Sequence, residues 1–431
     1  MKSAAQIQAT IELLDERDET KYPADRLMAG YFKQRRYIGS KDKAAISEYF
    51  YSVLRQRITL AYLLSTVELP VDNRGLMAVM AQMQGLALAD LFNGERYSPA
   101  PFEAELLAKF AEIDPADLES APQHVRLNYP EWLETELVAS LGDRLELEML
   151  AMGERASTDI RVNTLKTTRD ELKATLAQQG LSATSTSLSP WGLRFDGRVA
   201  LFNLQSFRDG WFEVQDEGSQ LLAWLTQVEA GQTVIDFCAG AGGKSLAMAA
   251  MMNNKGALYA CDVHSKRLSQ LAKRKNRAGV HNIRTHVLSS EQDKWVKQHA
   301  ARADVVLIDA PCSGTGTWRR SPDSRWNLSA NDVDELVALQ RSILSSAQRL
   351  VKPGGRLYYA TCSLLNAENQ GQAEWFTAEN PNFSALMLPA PDALGFSAEC
   401  IKVGNNTFQT LPALSNTDAF FLAAFTRESE D

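Results

Sequence analysis

Residues 233–251 read TVIDFCAGAGGKSLAMAAM, and their reading decides the fold. Thr233, Val234, Ile235 and Phe237 are β-branched or aromatic, which predicts a short buried strand. The strand runs into a turn holding Gly240, Gly242 and Gly243. Leu246, Ala247, Ala249, Ala250 and Met251 then predict a helix. A strand, a glycine-rich turn and a helix in that order make one half of a βαβ unit, with the turn placed to receive a polar or anionic ligand on backbone N–H groups.

The alternation continues downstream. A strand ends at Asp262, and a basic helix follows over residues 265–278. Short strands are predicted at 283–287 and 304–309, the second ending at Asp309 and opening into Pro311, Cys312, Gly314 and Gly316. A helix carrying Val333, Leu336, Val337, Ile343, Leu344 and Ala347 leads through Pro353, Gly354 and Gly355 to a strand at 356–360, which ends at Thr361, Cys362 and Ser363. Residues 418–425 predict a last, edge strand. Strands alternating with helices of this length give an α/β fold with a doubly wound parallel sheet, whose ligands sit at the carboxyl ends of the strands.

Upstream the texture differs. Residues 1–154 predict an all-α domain, clearest where Ile46, Tyr49, Phe50, Val53 and Leu54 follow Ser40, a candidate N-cap, as one apolar stripe. Residues 155–212 predict a small α+β unit: strands at 160–163 and 191–195, and between them a helix opened by the capping-box pair Thr168 and Glu171. The third domain spans 213–431.

The chain has 431 residues, 45% hydrophobic and 23% charged, so it is long enough for two or three cores and has a globular composition. It lacks an apolar run of about 18 residues and the layout of a signal peptide at its start. A soluble, cytoplasmic protein is the expectation. The cysteines (Cys238, Cys261, Cys312, Cys362 and Cys400) are odd in number and scattered, without a C-x-x-C pair, which predicts reduced thiols and no metal site. The net charge of −8 weighs against a nucleic-acid partner. Locally the balance reverses: Lys33, Arg35, Arg36, Lys41, Lys43, Arg55 and Arg57 face only Asp42 and Glu48, either a solvated helix face or an RNA contact.

Ala239 to Lys244 (AGAGGK) fits neither nucleotide fingerprint: Ser245 stands at the third glycine of G-x-G-x-x-G, and the P-loop spacing is not met. An acid about 20 residues on, Asp262, suits the hydroxyls of an adenosine ribose, so S-adenosyl-L-methionine is the expected ligand and NAD the alternative. Cys312 and Cys362 each follow a strand end, and strand ends on one rim can share a pocket. Beside a methyl donor, paired thiols suggest cytosine C5 methylation, because a thiolate adding to C6 makes C5 nucleophilic.

With VQDEGSQ (214–220), DFCAGAGGK (236–244), DAPCSGTG (309–316), RRSPDSRW (319–326) and YATCS (359–363) in this order, and IRVNTLK (160–166) ahead of them, the chain resembles the Nop/Sun RNA cytosine-5 methyltransferases, most closely the bacterial 16S rRNA members of the Sun (Fmu or RsmB) type. The resemblance covers nearly the whole chain. It implies a class I methyltransferase-like domain, a NusB-like RNA-binding N-terminus and a small RNA-recognition unit between them. It implies Cys362 as nucleophile, Cys312 as the thiol that helps release the product, and Asp309 on the base. Cys238, Ala239, Gly240, Ala241, Gly242, Gly243 and Lys244 would line the donor site, with Asp262 on the ribose and Ser290 and Asp309 completing it. Arg319, Arg320, Arg325 and Trp326 would hold RNA, the target cytosine leaving its stack. The sequence departs from the family pattern at Ala241, where Pro is usual, at Ser289 and Ser290, where a Gly-Asp pair is usual and Glu291 is the nearest acid, and at Ala419, usually Gly. The expected substrate is 16S rRNA and the expected state a monomer. Other readings are a tRNA cytosine-5 methyltransferase, an enzyme with Cys312 as the nucleophile, and an RNA-binding assembly factor that has lost turnover.

Overall fold

The computed structural model describes residues 1–429 other than 21, 198, 392, 394, 396 and 398–400, so Cys400 lies outside the described residues. The chain forms two compact units. One comprises Met1–Val138, Gly142–Glu154 and Trp318–Ser329, and the other Ala139–Leu141, Arg155–Thr317 and Ala330–Asp431.

The first unit is helical, with α1 (Ser3–Thr20), α2 (Ala24–Gln34), α3 (Ser40–Arg55), α4 (Arg57–Thr66) and α5 (Asn73–Met83) at its heart. On α3, Ile46, Phe50, Val53 and Leu54 recur at helical spacing and are fully buried, each such burial stabilising by about 1.5–3 kcal/mol. Gly39 is the N-cap, so Ser40 is the first helical residue. α5 begins where Asp72 accepts the Gly75 N–H at 2.6 Å. Residues 318–329 return to this unit: the Asp323 carbonyl accepts from Arg17 at 2.9 Å, the Asp323 carboxylate takes the Ala24 N–H at 3.0 Å, and the Trp326 indole N–H donates to the Leu54 carbonyl at 2.8 Å.

The second unit holds two sheets. The smaller is antiparallel, in the order β2-β3-β1-β4, from β1 (Thr158–Val162), β2 (Thr184–Ser185), β3 (Gly192–Phe195) and β4 (Phe212–Val214). Its alternate residues Ile160, Val162, Leu193, Phe195 and Phe212 pack on Leu172 and Leu176 of the helix Arg169–Gln178, which opens with the Thr168–Glu171 capping box.

The larger sheet is built from β5 (Thr233–Asp236), β6 (Ala257–Asp262), β7 (Ile283–Val287), β8 (Ala303–Asp309), β9 (Val351–Thr361), β10 (Phe383–Ala385), β11 (Lys402–Val403), β12 (Thr407–Thr410) and β13 (Phe420–Arg427). Its order is β11-β12-β13-β9-β8-β5-β6-β7, with β10 also paired to β13. β5 to β9 pair in parallel. Both faces are covered: Val305 and Leu307 of β8 enter one core, Val306 and Ile308 the other. That is why these strands read as continuous apolar runs. β13 is an interior strand between β9 and β12, not the edge expected from the sequence, because the short β11 and β12 lie beyond it.

Candidate active site

The chain order reverses between β5 and β8, where β6 lies to one side and β9 to the other. Such a switch point opens a crevice at the strand ends. The turn after β5 is set by Gly240 and Gly242, both at positive φ (+55° and +81°). A Cβ on Gly242 would strike the Leu271 side chain, so this glycine lets the turn lie against the helix Ser265–Ala278. Two arginines fix the same turn from outside: Arg274 donates to the Ala241 carbonyl and Arg161 to that of Gly243, each at 2.7 Å. Arg161 is buried, and desolvation draws its pKa down to about 10, with Glu213 acting against that and Arg274 with it.

The crevice is a cavity of about 560 Å³, in the range of small-molecule sites. Cys238, Ala239, Gly240, Ala241, Gly243, Lys244, Asp262, Asp309, Cys312 and Cys362 all line it. Asp262 closes β6, with one carboxylate oxygen on the Gly240 N–H and the other on the His264 N–H, both at 2.7 Å. Gly242 does not line the cavity; its work is in the turn. Ser290 does not line it either, contrary to expectation, whereas Leu288 and Glu291 do. The local reason is Asp293, which takes the Ser289 N–H and hydroxyl at 2.8 and 2.7 Å, while the Ser290 hydroxyl accepts the Gln292 N–H at 3.2 Å. Gln215, Val263, Arg267, Leu339 and Ile343 also line the cavity, and sequence reading missed them. Val263 had a signal, since it directly follows the strand-end acid.

On the floor, the Lys244 ammonium lies 2.6 Å from the Asp309 carboxylate. Burial opposes its charge, but Asp309, Asp236 and Cys362 outweigh burial and raise its pKa. Asp236 is fully buried, and burial pushes it up to about 7 despite the Ser245 hydroxyl at 2.5 Å.

The two thiols meet because β8 and β9 are in register, Asp309 opposite Ala360, so the loops beyond them start side by side. The sulfurs are 3.4 Å apart, and the Cys362 N–H points at the Cys312 sulfur at 3.4 Å. Cys312 is held well above the usual thiol pKa by its hydrogen bond to Cys362, then by burial, then by the charges of Cys362 and Glu368. Cys238 is also pushed up, chiefly by burial.

The segment expected to hold RNA is placed differently. Arg319, Arg320, Arg325 and Trp326 belong to the helical unit. Arg325 is fully buried: its guanidinium donates to the Asn128 carbonyl and lies over the rings of Trp318 and Trp326 at 4.5 and 5.5 Å. Burial, followed by the charge of Arg55, lowers its pKa to about 9. Arg319 is also buried and the Trp326 ring packs on the helical core, so neither they nor Arg325 offer RNA a surface in this arrangement; Arg320 is half-buried.

Residues 223–426 match the family described as 16S rRNA methyltransferase RsmB/F, and residues 129–201 match its ferredoxin-like domain. Ribosomal RNA small subunit methyltransferase B of Sodalis glossinidius is 30% identical over 411 residues, 91% of this chain and 92% of that protein. The chain belongs to the RsmB/F methyltransferase family. Ribosomal RNA small subunit methyltransferase B of Xanthomonas campestris is likewise 30% identical, over 94% of this chain and 96% of that protein. The solved structure of PH0851 superposes with a TM-score of 0.78 at 27% identity, covering 98% of each chain. The cofactor of this RsmB/F-type methyltransferase is S-adenosyl-L-methionine. The cavity suits it in three respects: a turn with little side-chain bulk, the strand-end carboxylate of Asp262, and the partly exposed apolar Val263 beside it. Among the described residues, no helix is long and apolar enough to cross a membrane.

Proposed function

We propose that this RsmB/F-type enzyme methylates C5 of a cytosine in 16S rRNA through a covalent bond from Cys362 to C6. The observation that carries the proposal is the pair of sulfurs 3.4 Å apart on the rim of the donor cavity, with unlike surroundings. Lys244 is in electrostatic reach of Cys362, whereas the negative charge of Glu368 falls on Cys312. In this reading Cys312, with its pKa raised, keeps its proton at the start, and the attack falls to Cys362.

Bound S-adenosyl-L-methionine supplies an electrophilic methyl group; Cys238, Ala239, Gly240, Ala241, Gly243, Lys244 and Asp262 would hold it, with Glu291 where Ser290 was expected. Asp309, oriented by Lys244, would hydrogen-bond the base. When the Cys362 sulfur bonds C6, the C5–C6 electron pair moves to C5, the carbon that takes the methyl group. The same bond removes the sulfur charge that raises the Cys312 pKa, so Cys312 gives up the proton it was holding to solvent and, as the thiolate, takes the proton from C5 once the methyl group is in place. The C5–H electron pair then re-forms the double bond and expels Cys362. In this reading the helical unit, NusB-like over 1–154, and the small sheet of 155–212 hold the RNA, and residues 213–431 carry out transfer. The enzyme works in the cytoplasm as a monomer.

Incubation with 5-fluorocytosine RNA and S-adenosyl-L-methionine tests the assignment. An adduct should form with the wild type and Cys312→Ala and be absent with Cys362→Ala. An adduct that survives Cys362→Ala and vanishes with Cys312→Ala would make Cys312 the nucleophile. Calorimetry without donor binding at millimolar concentration would instead favour an assembly factor.

A further inference from the structure

Glu368 lies outside the cavity lining, on the turn after β9, and acts in the chemistry above only through its charge. It is fully buried. One carboxylate oxygen accepts the Ser313 N–H and the Gln340 amide, both at 2.9 Å; the other accepts the Ser313 and Ser363 hydroxyls, both at 2.5 Å. All four donors are neutral. A buried carboxylate without a basic partner is costly to keep, and a serine or an amide would fill the space with less desolvation. Its donors are not arbitrary: Ser313 directly follows Cys312, and Ser363 directly follows Cys362. Neighbouring bonds fix the same turn. The Asn369 amide donates to the Ser363 carbonyl at 2.8 Å and accepts from the Thr361 hydroxyl at 2.5 Å, and the Tyr359 hydroxyl donates to the Glu368 carbonyl at 2.7 Å.

We propose that Glu368 is a positioning residue for both thiols: by gathering Ser313 and Ser363 on one carboxylate it locks the two loops and sets the Cys312–Cys362 separation. It rests on the two-thiol reading of the site. A side chain that served only to fill the core would act equally well as glutamine. Glutamine keeps the volume but replaces one acceptor oxygen with an N–H group, so it cannot accept all four bonds. One loop is then released, and its sulfur drifts. The carboxylate charge has a second effect, since it helps keep the proton on Cys312.

Full-length Glu368→Gln is the test, read in two ways. In single-turnover methylation of the RNA, the rate constant should fall by about 10- to 100-fold, the loss expected for a misplacement of up to about 1 Å, while the donor Kd and RNA KM stay within about threefold. In a Cys362→Ala background, the pH profile of Cys312 alkylation by iodoacetamide should move to lower pH by about half a unit or more when Glu368 becomes glutamine. A wild-type rate with an unmoved profile overturns the proposal, and so does a rate loss accompanied by an equal loss of donor binding. If Glu368→Gln does not fold, Ser313→Ala/Ser363→Ala removes the two hydroxyl donors and keeps the acid; a wild-type rate there also overturns the proposal. The alkylation profile uses no RNA, so it judges Glu368 even if the wild type forms no adduct on 5-fluorocytosine RNA, a result that would sink the cytosine reaction alone.

Discussion

Gly316→Ala should disable the site although Gly316 itself does not line the cavity. Gly316 has an ordinary negative φ, so the change brings no backbone strain of its own; the obstacle is space. A Cβ there would meet the Cys362 carbonyl oxygen at 2.8 Å, with the Ala419 carbonyl closer still and the Ala419 methyl at 2.9 Å. Ordinary contact begins at 3.4 Å, so the Cys362 backbone must retreat by about 0.6 Å and the backbone at Ala419, just before β13, must give way as well. Both are tied to Gly316, which donates to the Cys362 carbonyl and accepts the Ala419 N–H, each at 2.9 Å. Overpacking of this kind costs roughly 1–3 kcal/mol of stability. The functional effect should exceed the structural one: a shift of that size at Cys362, the proposed nucleophile, should slow single-turnover methylation by roughly tenfold or more, on a scale of about a hundredfold per 1 Å. Calorimetric donor affinity should change little, because the β5 turn is untouched. Gly314→Ala, where a Cβ has its nearest neighbour at 3.7 Å, tests φ strain (+69°) without the crowding. A Gly316→Ala enzyme that folds and forms the 5-fluorocytosine adduct at the wild-type rate would refute the reasoning.

Three further outcomes concern ionisable side chains. The Asp236 pKa is raised to about 7, so its protonated form stabilises the fold below about pH 4 and this contribution is lost as pH rises through 7, on the order of 4 kcal/mol in all. The urea midpoint of Asp236→Asn should therefore gain on the wild type between pH 5 and pH 8, and a pH-independent difference would disprove the shift. Arg325→Met should keep stability within about 2 kcal/mol, since an apolar residue replaces a buried charge, and should leave RNA affinity by fluorescence anisotropy unchanged. Arg320→Ala should weaken RNA binding and flatten its salt dependence by about one counterion.

Much of the architecture was legible because it follows from short-range chemistry. The runs at β5 and β8 are apolar throughout because both sheet faces are covered, and Thr168 with Glu171 signals the helix that packs on the small sheet. What escaped depends on contacts distant in sequence. The resemblance implies Arg325 as an RNA contact, but its segment packs with α1 and α3 about 300 residues away, and no local pattern announces that. β13 seemed terminal by position, yet strand order is set by β11 and β12 hydrogen-bonding outside it. Ser290 was placed in the site by position in a motif; Asp293 shapes that turn and leaves Glu291 at the cavity. Glu368 did leave a trace, an acid five residues past Ser363 without a basic neighbour, but a lone acid in a turn reads as solvated until its burial is known.

The hardest question for sequence was which thiol attacks, since Cys312 and Cys362 each follow a strand and each precede a serine. The register of β8 and β9 makes them neighbours but does not rank them. The ranking proposed for them rests on charges supplied by other elements. Lys244, at the start of the helix after β5, is near Cys362, and Glu368, on the turn after β9, bears on Cys312. Neither charge is visible as a partner from spacing, because each reaches its thiol through the fold. In the proposed reading two equivalent cysteines thus become a nucleophile and a proton holder, and exchanging their roles would require moving the surrounding charges as well as the sulfurs.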